Sequence, residues 1–375
     1  MLLGIVLHAA LPYMPSAEGY WPTDGSSSRL IDIIFQFIHI WRMPLFFILA
    51  GFFANLTISK KSWKYWWTNR CLRIGLPLLV FTPLLSLTLP TIFSYGKTGE
   101  LVFFYSTDGR PYHLWFLWHL LFFAAFTVIS GPSYLLGSRI FHRLTGRSFG
   151  SLKHLLDRAF RTLFRVFLKS RIPVPLMILC FFLSIPTGGD LITNPVITGL
   201  YFILGYSLFT NRFLLSFIKS YWYYYLLSAI AVFGVYITSF FPFITDLFQE
   251  LFPGLMAIPE GADNSLFKDL LYMSRISAAI LFSYAFIGLF EVKYNSYNAA
   301  LRFISDGSYW MYIVHLPVVS FLTFSMFNLN IFPEMKFLIA IVTTSTICLI
   351  TYKYLVRSTL LGLILNGKRQ HFGPG

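Results

Sequence analysis

The residues of this chain that can do chemistry are few, and they stand in apolar runs. His8 lies in "MLLGIVLHAALPYMP", with no basic residue before Arg29. A second run, "FIHIWRMPLFFILAGFF", places His39 three residues before Arg42 on one helical face, and Pro44 follows to free the carbonyl of Ile40. "NRCLRIGLPLL" sets Arg70 and Arg73 one helical turn apart, a spacing at which two guanidinium groups can grip a phosphate. Two interfacial arginines reaching for lipid headgroups explain that pair equally well. "YHLWFLWHLLFF" carries His113, Trp115 and His119, while "GSYWMYIVHLPVV" repeats Tyr309, Tyr312 and His315 every third residue, as polar tips lining a cavity would. A buried imidazole is a candidate proton carrier, because an apolar setting favours the neutral form that a base needs. A buried arginine is a candidate contact for an anion or a developing oxyanion. For His8 taken alone a hydrogen-bonded core histidine is the plainer explanation, and for Arg42 a structural ion pair competes.

No zinc-ligand spacing, P-loop, GxSxG or GxGxxG pattern is present, so metal hydrolysis, nucleotide hydrolysis and dinucleotide redox chemistry have no support, and no permanently bound cofactor is expected. Cys71, Cys180 and Cys348 are scattered over apolar spans, which gives neither a disulfide framework nor a zinc site.

The elements that must position these residues are membrane helices. The chain has 375 residues, 56% of them apolar and 12% charged, where a soluble domain carries about 25% charged residues. Mean hydropathy is +0.66. Apolar stretches of about 20 residues, the length that crosses a bilayer, recur from end to end. The expected fold is an all-α polytopic membrane protein of about ten transmembrane helices, at 1–16, 32–55, 72–93, 113–130, 172–187, 195–210, 221–242, 270–290, 306–327 and 336–356, forming one integral-membrane domain over residues 1–375. The net charge of +14 is concentrated in short connectors. Lys60, Lys61, Lys64, Arg70 and Arg73 stand together without an acid, and nine basic residues between Gly137 and Ile172 face only Asp157. That is the pattern of cytoplasmic loops and not of a nucleic-acid surface. It puts both termini in the cytoplasm and makes 131–171 a basic cytoplasmic loop, in which "LKHLLDRAFRTLFRVFLKS" reads as an interfacial helix. The acidic connector 243–269 then faces outward.

Taken in order, "MLLGIVLHAALPYM", "FIHIWRMPLFFILAGFF", "KYWWTNRCLRIGLPLL", "HLWFL", "YWMYIVHLP" and the tail "LLGLILNGK" resemble the membrane acyltransferase type 3 family, from the first residue to about Lys368. Residues 130–300 match it only as apolar spans. The resemblance implies a multi-pass enzyme of the bacterial inner membrane that moves an acyl group from cytoplasmic acyl-CoA to an extracytoplasmic carbohydrate. Within the family it points to the branch that transfers succinyl groups from succinyl-CoA to osmoregulated periplasmic glucans. The family's histidine in the first helix falls on His8, its second-helix arginine on Arg42, its third-span arginines on Arg70 and Arg73, and its late histidine on His315.

On that basis His8 is assigned as general base, with a transient acyl-imidazole as the lesser alternative. Arg42, with His39, would hold the thioester oxygen or the succinyl carboxylate. Arg70 and Arg73 would grip the phosphates of coenzyme A, and His113, Trp115, Tyr312 and His315 would line the substrate cavity. The expected partners are acyl-CoA, the glucan acceptor and the bilayer, with no nucleic acid. Two other readings are an O-acetyltransferase of another surface polysaccharide or lipid-linked glycan, and a transporter of anionic sugars or organic acids. The family also places an acidic residue and an arginine about ten positions ahead of the first-helix histidine, where this chain has none. Residues 1–16 span only about 24 Å as a helix, short of the roughly 30 Å hydrocarbon core. The expectation is therefore an N-terminally shortened chain whose first helix begins within the bilayer.

Overall fold

The computed structural model describes residues 2–129, 158, 173–187, 193–238, 265–294 and 296–367. Every regular element among them is helical: α1 Leu2–Ala10, α2 Arg29–Lys60, α3 Trp63–Arg70, α4 Leu76–Thr98, α5 Tyr112–Ile129, α6 Val174–Thr187, α7 Pro195–Thr210, α8 Phe213–Ser220, α9 Trp222–Ile237, α10 Ser265–Lys293, α11 Ala299–Ser325, α12 Pro333–Thr351 and α13 Leu360–Asn366. A π-helical turn, Cys71–Gly75, joins α3 to α4, and a second, Tyr352–Val356, extends α12.

Each expected span coincides with one of these helices, but their lengths differ from the expectation. Five among the described residues are long and apolar enough to cross a membrane: Arg29–Lys60, Trp63–Thr98, Tyr112–Ile129, Asp269–Lys293 and Pro333–Val356. A sixth is obtained if α7 and α8, bent by 107° at residues 211–212, count as one broken span. The chain is thus a multi-pass membrane protein, with five or six helices among the described residues that meet this length and apolarity. Of the other helices at expected spans, α1, α6 and α9 have 9, 14 and 16 residues, whereas α11 has 27 and falls outside the group by its polar composition. α1 stops at Ala10 because Pro12 has no N–H for the carbonyl of His8, and Leu11–Tyr13 and Pro15–Ala17 continue as 3₁₀ turns. Pro44, by contrast, is carried inside α2 without interrupting it. The interfacial helix expected within 131–171 lies outside the described residues, apart from Arg158.

The helices form two compact units. The first comprises Met1–His39, Thr68–Leu121 and Ser296–Gly375. Its axis is α11, on which α1, α4 and α12 pack. The contact centres on Ile5, Met311 and Cys348, all fully buried, with Val314 and Leu349 against them. The second unit comprises Ile40–Trp67 and Phe122–Asn295. There α10 receives α6, α8 and α9. Small residues let α2 and α7 cross closely in this unit: a Cβ on Gly51 would overlap the carbonyl oxygen of Phe202, and one on Gly205 that of Ile48. Asn55 Nδ2 ties the same crossing, donating to the Tyr206 carbonyl at 2.7 Å and to Thr210 Oγ1 at 3.0 Å.

Candidate active site

The site is built in the first unit on α11, and its geometry follows from packing register. Ile5 lies three residues before His8 in α1, and Met311 four before His315 in α11, so each anchor shares a helical face with its histidine. Burying Ile5 against Met311 therefore brings the two imidazoles together, with ring centroids 5.2 Å apart and planes inclined by 41°.

A third imidazole joins them from α5. His113 and His315 stand edge to face, 5.1 Å between centroids, and both are almost completely buried. His113 Nε2 lies 3.0 Å from the Tyr312 carbonyl and 3.1 Å from that of Ile313. The second of these carbonyls is the one that Pro317, four residues on, leaves without a helix donor. A carbonyl can only accept, so His113 carries its proton on Nε2 and presents Nδ1 as a lone pair. That buried Nδ1 has no hydrogen-bond partner among the described residues. His315 has the opposite tautomer, since its Nδ1 donates to the carbonyls of Met311 at 3.0 Å and Tyr312 at 2.7 Å, leaving Nε2 basic. Tyr312 closes the arrangement by donating its hydroxyl to the His113 carbonyl.

His8 is covered by a residue that the sequence motifs did not single out. Trp21 stacks on it, centroids 6.2 Å apart at 23°, and sets its other contact edge to face against Phe93 at 4.6 Å. The segment carrying Trp21 is clamped at several points. Asp24 N–H donates to the Pro12 carbonyl and Ser28 N–H to that of Tyr13, both at 2.8 Å. Ser16 donates through its hydroxyl to Asp32 at 3.0 Å. Lys336, at the start of α12, forms a 2.5 Å ion pair with Asp24, and the two side chains are only 2% and 4% exposed. A lone lysine at the mouth of an apolar span was a visible signal. Its partner 312 residues away was not.

The other expected residues divide between places. Tyr309 does not join Tyr312 and His315, although it shares their face. Its hydroxyl donates to the Arg73 carbonyl at 2.6 Å, one turn further along α11. Arg70 and Arg73 are not in one continuous α-helix, because Arg73 falls in the π-helical turn. The Arg73 guanidinium lies against Gly367, where a Cβ would overlap it. Gly367 has φ +72° and closes α13, and Asn366 beside it donates to the Asp306 carbonyl at 3.0 Å. This accounts for the tail run "LLGLILNGK": its last turn packs on the arginine end of α11. Trp115 pairs edge to face with His119 at 5.2 Å. His39 stacks on Phe35 at 5.0 Å. Arg42, three residues beyond, falls in the second unit.

Within the first unit α11 thus meets the histidine cluster at one level and the turn bearing Arg73 at another. Tyr309 and His315 mark the two, separated by about 9 Å of helix rise. No group of three or more His, Cys, Asp or Glu among the described residues is arranged to hold a metal ion.

Comparison with known proteins gives the family. A family model described as an acyltransferase domain, acyltransferase type 3, matches residues 1–353. The glucans biosynthesis protein C of Salmonella typhi and that of Salmonella typhimurium are each 31% identical to this chain over 131 residues, covering 31% of this chain and 32% of theirs. The same protein of Salmonella paratyphi B matches to the same extent. The matched stretch thus spans about a third of the length of these curated relatives. No solved structure matches the chain. A family match over nearly the whole length, on a helical membrane scaffold that buries histidines side by side, places the chain in the acyltransferase type 3 family.

Proposed function

We propose that this protein is an inner-membrane O-acyltransferase that moves a succinyl group from cytoplasmic succinyl-CoA to a hydroxyl of an extracytoplasmic glucan. The observation that carries the reading is the packing of His8 against His315, whose Nδ1–H is committed to backbone carbonyls. An imidazole held among other imidazoles in an apolar setting is suited to stay neutral and accept a proton.

In this reading His8 takes the proton of the sugar hydroxyl as its oxygen bonds to the thioester carbonyl carbon. The tetrahedral oxyanion then collapses, the C–S bond breaks, and the departing thiolate takes the proton back from His8. Arg70 and Arg73 hold the phosphates of the donor. Their distance along α11 from the histidine centre suits a long, thin donor whose charged end and reactive thioester are far apart. The glucan acceptor and the succinyl group are supported by the relatives' printed name and by the sequence resemblance. The basic connectors support a topology with both termini in the cytoplasm.

The test is the mass added to periplasmic glucan when the gene is expressed. A succinyl increment is expected. An acetyl increment would move the protein to the O-acetyltransferase reading, and no increment on any glycan, with transport of an organic anion instead, would overturn acyl transfer itself.

A further inference from the structure

We propose that Trp21 is a catalytic residue: its indole Nε1–H donates a hydrogen bond to the oxygen that becomes negative when the acyl group is transferred at His8. The inference rests on the reading of His8 as base. It adds a donor that neither the sequence motifs nor the comparisons assign.

Three observations carry it. Indole nitrogen is a donor only, and Nε1 of Trp21 is buried without a hydrogen-bond partner among the described residues. Buried donors in native proteins are almost always satisfied, so one left open beside reactive groups calls for a ligand oxygen. The second observation is position. The indole and His8 rings are 6.2 Å apart between centroids. That separation matches one reacting centre, with a carbonyl oxygen about 3 Å from the indole nitrogen and a hydroxyl about 3 Å from the imidazole. The third is fixation. Phe93 packs edge to face on the indole, and the Asp24–Lys336 ion pair with two backbone hydrogen bonds holds the segment that bears it. A donor aimed at developing charge is effective when it is fixed beforehand and needs no reorganisation.

The sugar O–H gives its proton to the His8 imidazole, and the oxygen forms a bond to the acyl carbonyl carbon. The carbonyl π pair moves onto oxygen, which Trp21 stabilises. The pair then returns as the bond to the thiolate breaks, and the thiolate takes the proton from the imidazolium.

The experiment uses the full chain in lipid nanodiscs, with succinyl-CoA and acetyl-CoA as donors and purified glucan as acceptor. Trp21→Phe keeps a ring for His8 and Phe93 but removes the N–H. Replacing Trp21 by 3-benzothienylalanine keeps the indole shape with sulfur in place of the N–H, so the test survives if the Phe variant misfolds. Both are expected to lower kcat by about 10²–10³ with the donor KM unchanged. A kcat within about twofold of wild type, or a change confined to KM, would overturn the proposal. His8→Ala is measured in parallel. If it is inactive while the Trp21 variants are normal, only the role of Trp21 falls. If His8→Ala turns over normally, the reading of the site falls, and the role of Trp21 with it.

Discussion

His113 donates its Nε2–H to the carbonyl of Ile313 at 3.1 Å, filling the vacancy that Pro317 creates in α11. A carbonyl freed by one proline thereby joins that of Tyr312 in holding the proton of a histidine from another helix on Nε2, which leaves the lone pair on Nδ1. The relation can be tested from both ends. His113→Ala should leave a buried carbonyl unsatisfied and destabilise the protein by about 1–3 kcal/mol. Pro317→Ala restores an N–H to α11 and should recover part of that loss in the double variant. Thermal melting of the four proteins in detergent checks this, and strictly additive effects would show that the two residues do not share the carbonyl.

His8→Ala should lower acyl transfer by about 10²–10⁴ while the protein still inserts and binds donor. Its ring is not part of the Ile5–Met311–Cys348 contact that seats α1, so folding should survive. Single-turnover assays with succinyl-CoA measure the loss.

At the arginine end of α11, Gly367→Ala should mimic Arg73→Ala. The left-handed backbone at Gly367 penalises any side chain by roughly 1–2 kcal/mol, and the new methyl would displace the Arg73 guanidinium. Both variants should raise the KM for acyl-CoA and leave kcat largely intact. An unchanged KM in both would remove Arg73 from the donor site.

In the second unit, Gly51→Ala and Gly205→Ala should each lower stability by about 1–3 kcal/mol, because the facing backbone carbonyls cannot move aside as a side chain would. Melting temperature is the readout. Either variant melting like the wild type would show that α2 and α7 do not approach so closely.

The amino-acid sequence by itself determined the class of this protein and singled out the histidines that the fold later groups. Hydropathy located a helix at each expected span, since the cost of burying polar backbone in lipid leaves apolar runs no other regular structure than the helix. The short α3, α8 and α13 fell in stretches read as connectors and tail. Ionisable residues inside those runs identified His8, His113 and His315, because such residues are costly without a task. The tail motif was visible, though its purpose was not. Helix ends were less legible: α1 is nine residues long and α7 is bent away from α8, since where a helix stops depends on local proline and capping geometry that an average over a window hides. Only the tertiary structure decided which of these residues meet. Tyr309, Tyr312 and His315 share one helical face in the sequence, yet Tyr309 serves the arginine end and the other two serve the histidines. Trp21 and the Asp24–Lys336 pair carried no motif, because their meaning lies in contacts across the chain. Periodicity reports which face of a helix a residue occupies. Which partner that face meets is set by packing between helices far apart in sequence, as when Ile5 against Met311 brings His8 to His315.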